Sequence, residues 1–180
     1  MTWLEGELER LSAPDYLQGI AERPLEELRA MRAECQQAET AVSYLRRVAQ
    51  GRLDIVHGIL EATRAGNADL AGLIEQLPAI MGGGPPRPAG YGRLPSQMSP
   101  DVEEAGDLTT EIDEVLDANQ IGELPSMTEQ QLEDIADRLI EIEGRISQQR
   151  RFLHERIDAL QAEIVSRYKS GQASPDGLLA

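Results

Sequence analysis

The chain has 180 residues, enough for one domain, and a formal net charge of −15. Its six aromatic residues are too few for an aromatic-rich core, and no apolar run approaches the roughly 18–20 residues of a membrane span. A single cysteine, Cys35, excludes a disulfide framework, and the acidic N-terminus MTWLEGELERL lacks a signal-peptide layout, so a cytoplasmic protein is expected.

Residues 1–22 place Trp3, Leu4, Leu8, Leu11, Tyr16 and Leu17 in an amphipathic pattern, read here as a partner-binding segment. Residues 23–66 form the first long element. The periodicity predicts a helix from about Pro24 to Arg64, with Pro24 at its first position and Gly66 as its C-terminal cap. A seam runs through Leu28, Met31, Cys35, Ala38, Val42, Leu45, Ala49, Leu53, Val56 and Leu60. Its alternating steps of three and four are the coiled-coil pattern.

Residues 67–127 make a long connection that is partly disordered by composition. GGGPPRPAGYGRLP at 82–95 is too rich in Gly and Pro for regular structure. Short helices are expected on either side, an apolar one at 68–77 and an acidic amphipathic one at 108–118. Residues 101–142 carry fourteen carboxylates against Arg138 alone. Such a segment repels a nucleic-acid backbone, which argues against direct DNA binding, and suits a basic protein partner.

The second long helix is expected within 128–170, with Ser126 and Glu129 as a capping box and Gly171 beyond its end; residues 171–180 form a flexible tail. Its seam is Leu132, Ile135, Leu139, Ile142, Ile146, Gln149, Leu153, Ile157, Leu160 and Ile164. Each lies 104 residues after a seam position of the first helix, the mark of an internal duplication. The fold class is therefore all-α, an antiparallel two-helix coiled-coil hairpin whose connection carries short helices.

A polar stripe repeats in the same register. Glu39, Ser43, Arg46, Gln50 and Asp54 are matched by Glu143, Ser147, Arg150, His154 and Asp158. Steps of four, three, four and four hold each set within an arc of roughly 80° on one helix side. Arginine offers planar donors that match the O6 and N7 edge of guanine or a phosphate. A carboxylate on the same face accepts from guanine N1–H and the exocyclic amine, a donor pair that adenine lacks. The competing reading is a solvated face laced with i,i+4 ion pairs, and the second copy in register counts against it. Catalysis has little support. Two histidines, His57 and His154, and one seam cysteine give no nucleophile–base arrangement, and metal-ligand spacing is absent.

The stripe resembles the signature of the RsiG family, Glu-x3-Ser-x2-Arg-x3-Gln-x3-Asp, carried on each helix of an antiparallel coiled coil. The first copy matches at all five positions and the second at four, with His154 where the motif has Gln. The resemblance covers both long helices. It implies an anti-sigma factor that holds a WhiG-type sigma factor when armed by cyclic di-GMP, repressing late sporulation genes. It further implies that the ten stripe residues bind the ligand as a dimer, about two molecules per chain, without catalysis. Arg46, Arg47, Arg52, Arg145, Arg150, Arg151 and Arg156 are candidates to neutralise its phosphates. The alternative is a ligand-independent coiled-coil adaptor or chaperone.

Overall fold

The computed structural model describes residues 3–66 and 109–171. The helix expected at 68–77, the irregular stretch at 82–95 and the tail from residue 172 lie outside the described residues. Those described are helical, with no strand: α1 (Trp3–Ser12), α2 (Leu25–Arg64), α3 (Thr110–Val115), a 3-10 helix (Gln120–Ser126) and α4 (Glu129–Lys169). At 1.5 Å per residue α2 and α4 are each about 60 Å long.

The chain divides into two compact units. Unit 1 comprises Met1–Ser43 and Gln148–Ala180, and unit 2 comprises Tyr44–Ser147. Within unit 1 the start of α2 runs antiparallel to the end of α4. Arg29 donates to the Tyr168 hydroxyl, Arg32 to the Gln161 amide oxygen and Arg150 to Glu39. Within unit 2 the end of α2 runs antiparallel to the start of α4, with Arg46 on Glu143 and Arg64 on Glu129 and Glu133. The all-α, antiparallel pairing expected from the seams is thus what each unit contains.

Nine of the ten α2 seam residues are buried, Leu53 being half-buried. On α4, Leu132, Leu139, Ile142, Ile146, Leu153, Leu160 and Ile164 are buried, with Ile135 and Ile157 half-buried. Gln149 departs from the seam expectation and is exposed. An amide in a dry apolar seam has no partner, so its burial costs free energy that turning outward avoids. No polar residue among those described is fully buried.

The helix ends follow local chemistry. Pro24 accepts the first helical bond, from Leu28 N–H at 3.1 Å, one position before α2 begins. Gly66 and Gly171 take φ values of +66° and +72°, where only glycine is unstrained, and close the two helices as expected. The cap of α4 is shifted from the expected Ser126–Glu129 box to Thr128 and Gln131. The Thr128 N–H donates to the Gln131 side-chain oxygen at 2.9 Å, and the Gln131 N–H to the Thr128 hydroxyl at 3.3 Å. Ser126 is unavailable because its hydroxyl closes the 3-10 helix on Glu123 O at 2.7 Å.

The 104-residue register extends to the short helices. α2 begins at Leu25 and α4 at Glu129, and Leu11 of α1 corresponds to Val115 of α3, both buried. Each unit therefore holds the same parts: a short helix, the first half of the long helix that follows it, and the second half of the other long helix. α1 buries Leu4 and Leu11 within unit 1 and leaves Trp3 exposed. α3 buries Ile112, Val115 and the following Leu116 within unit 2.

Matching arginines tie these short segments down. Arg52 of α2 donates to the Leu116 carbonyl and to Asp113, and Arg156 of α4 donates to the Ala13 carbonyl while lying over the rings of Phe152 and Tyr16. Arg145 of α4 also reaches Glu111 of α3. Burial alone would raise the Asp113 carboxyl, but the Thr109 hydroxyl and the Arg52 guanidinium outweigh it and hold Asp113 below its ordinary value of 3.8. A depressed acid stabilises the fold above its unfolded value and loses that contribution as pH falls through the folded one. Acidification from pH 5 to pH 2 should therefore lower the amide protection factors of residues 112–116, each rate being taken relative to the intrinsic rate at the same pH. Asp113→Asn should remove that pH dependence; equal dependence in the variant would place its origin elsewhere.

Candidate functional site

The two stripes meet across the helix pair and exchange partners. In unit 2, Arg46 of α2 donates through Nε to Glu143 Oε1 and to Ser147 Oγ of α4, both at 2.9 Å. Gln50 donates through Nε2 to the same Glu143 oxygen at 3.0 Å, and the Ser147 hydroxyl donates to it at 2.9 Å. In unit 1 the helices swap roles. Arg150 of α4 donates through Nε to Glu39 Oε1 at 3.1 Å and to Ser43 Oγ at 2.9 Å. The Ser43 hydroxyl donates to Glu39 at 2.6 Å, and His154 Nε2 lies 3.3 Å from the same oxygen. The Glu and Ser of each stripe therefore form a cluster with the Arg and Gln or His of the other stripe.

Antiparallel pairing produces this exchange. Glu and Ser precede Arg in each stripe, so reversing one helix against the other sets one stripe's start beside the other's middle. Serine and glutamate then fix the inner edge of each guanidinium. They take only Nε, and the Nη groups of Arg46 and Arg150 make no hydrogen bond among the described residues. Those side chains are 35% and 39% exposed, so a pre-oriented pair of donors faces solvent in each unit. A planar fork held this way recognises a planar acceptor edge or a phosphate with little further ordering.

Asp54 and Asp158 are not drawn into the clusters. Each lies eight residues beyond its arginine, about 12 Å along the axis, and is exposed with no hydrogen bond or ion pair among the described residues. An exposed unpaired carboxylate on the same helix face as an anchored arginine is an acceptor open to a ligand.

Apart from Arg46 and Arg150, the five other arginines of the stripe segments divide in two. Arg52, Arg145 and Arg156, read from sequence as possible phosphate ligands, are engaged by α3, by the residues that follow it, or by the N-terminal segment. Arg52 sits about 200° round the helix from the middle of its stripe, so it serves the opposite side. The signal for this lay in the repeat of Arg52 as Arg156, outside the stripe arc. Arg47 and Arg151 border the stripes, are exposed, and carry no ion pair among the described residues.

Cys35 is a buried free thiol pushed up by that burial, bonded at 3.6 Å to a Tyr16 hydroxyl that burial also pushes up. Among the described residues no group of three or more His, Cys, Asp or Glu is placed to hold a metal, and no helix is long and apolar enough to cross a membrane.

No curated protein matches the chain. A family model does, over residues 14–81 and 119–180, which include both stripes and both seams. With two thirds and more of its length matched, this chain belongs to the RsiG-like family, whose role is that of an anti-sigma factor with a sigma factor as partner.

Proposed function

We propose that the protein sequesters a WhiG-type sigma factor when armed by cyclic di-GMP, and so represses late sporulation genes, acting in the cytoplasm by binding and not by catalysis. The observation that carries this reading is the pair of alike clusters, each presenting an anchored arginine fork. A guanine offers such a fork its O6 and N7, and the carboxylate of Asp54 or Asp158 accepts from N1–H and the exocyclic amine. Two cyclic di-GMP molecules bring about four negative charges, and Arg46, Arg47, Arg150 and Arg151 supply four positive ones on or beside the stripe arcs. The acidic run supports a basic partner: Asp137 and Glu141 are exposed on α4, where they can meet the basic surfaces with which a sigma factor faces DNA.

Calorimetry with cyclic di-GMP, cyclic di-AMP and GTP in parallel tests the ligand. The expected result is about two cyclic di-GMP per chain, with at least tenfold weaker binding of the other two. Ligand confined to the folded form should also raise the melting midpoint. Equal binding of cyclic di-AMP would remove the guanine assignment. A sigma factor complex of the same strength with and without ligand would leave an anti-sigma factor without a switch.

A further inference from the structure

The stripes differ at one position, Gln50 against His154, and the structure places both side chains on the same kind of acceptor. Gln50 Nε2 donates to Glu143 Oε1 at 3.0 Å, and His154 Nε2 stands 3.3 Å from Glu39 Oε1. Each glutamate oxygen already receives an arginine Nε and a serine hydroxyl. A carboxylate so placed can only accept, so the third group facing it must present an N–H. For the glutamine this turns the amide nitrogen inward and leaves its carbonyl oxygen as a free acceptor. For a neutral imidazole it selects the Nε2–H form and leaves Nδ1 as the free acceptor.

We propose that His154 is the specificity-determining counterpart of Gln50. Its imidazole, held as the Nε2–H tautomer by Glu39, reproduces the inward donor and outward acceptor of a primary amide. The unit 1 cluster then takes the same guanine nucleotide as unit 2 despite the substitution. The Gln50 carbonyl makes no hydrogen bond among the described residues, and neither does either ring nitrogen of His154, whose Nε2 lies at ion-pair distance from Glu39, so the Gln50 carbonyl and the His154 Nδ1 are each open to a ligand donor. His154 is 45% exposed, which leaves its outer edge accessible. The ionisable group against the ring is Glu39, whose same oxygen also receives Arg150 Nε. The inference rests on the cyclic di-GMP reading for its ligand but not for its tautomer.

The two parts separate in one set of experiments on the full chain at pH 8. Long-range nitrogen spectra of 15N-histidine-labelled protein, with His57 assigned by H57Q, should show His154 as the Nε2–H form. Glu39→Ala should shift its ring nitrogens; a Nδ1–H form, an imidazolium, or spectra indifferent to Glu39→Ala would overturn the tautomer assignment. Calorimetry with cyclic di-GMP should give His154→Gln and Gln50→His within threefold of the parent affinity and at the same stoichiometry. His154→Phe, which keeps the ring but has no donor or acceptor, should weaken binding at least tenfold with unchanged helicity. Parent-like binding by His154→Phe, or a tenfold change in His154→Gln, would overturn the equivalence. Failure of the parent chain to bind cyclic di-GMP would overturn the ligand reading, while the spectra still decide the tautomer.

Discussion

Asp54→Ala and Asp158→Ala should each weaken cyclic di-GMP binding by roughly tenfold to a hundredfold while leaving the melting midpoint and helicity unchanged. Both carboxylates are exposed and bond to nothing among the described residues, so truncation removes no native contact. Surface substitutions of this kind stay within about 0.5 kcal/mol of the parent. A hydrogen bond to a charged group contributes about 1.5–3 kcal/mol, the source of the expected loss in affinity. The two aspartates are therefore cleaner probes than the arginines. Arg46→Ala and Arg150→Ala would also strip Glu143 or Glu39 of a partner and mix a structural cost with the ligand effect. Unchanged calorimetric affinity in both aspartate variants would reduce the stripes to helix-pairing elements.

The largest stability effect is expected from Leu139→Asp. Leu139 has no exposed surface and lies in the α4 seam of unit 2. An unpaired carboxylate there loses its hydration with no compensating donor, a cost of several kcal/mol. A pair of helices buries one narrow seam and a few short-helix side chains, so little stability stands in reserve. Leu139→Asp should collapse the far-ultraviolet helical signal at 25 °C, whereas Leu139→Ala, at about 2–5 kcal/mol, should lower the midpoint and retain a folded population when ligand is in excess. A cooperative melt of Leu139→Asp at the parent temperature would mean that the seam does not hold unit 2 together.

The expectation that residues 1–22 form a partner-binding segment needs a qualification from the buried residues, and the acidic helix expected at 108–118 behaves in the same way. Leu11 in unit 1 and Ile112 and Leu116 in unit 2 are packed within the chain's own units. Among the described residues, a partner gains what remains outside, such as the exposed Trp3 and the outer carboxylates of α4. Short helices of six to ten residues form only when packing supplies what their few backbone bonds cannot. The arginines that α3 and the N-terminal segment occupy are then a condition of their folding.

Sequence by itself determined the helices, their seams and the stripes, because those properties depend on spacing along one chain. A 3.6-residue period converts Leu28 through Leu60 into one face, and a 104-residue repeat marks the second helix as a copy. The burial of Cys35 and the glycine caps at Gly66 and Gly171 followed from the same local rules. Tertiary structure alone decided which stripe residue meets which. Glu39 finds Arg150 and not Arg46, because antiparallel packing sets the start of one stripe against the middle of the other. It also divided the arginines between anchored forks and short-helix ties, and turned Gln149 out of a seam whose period included it. In each case the deciding term is the environment supplied by a distant segment: an acceptor to bond, or an apolar wall that an amide cannot share.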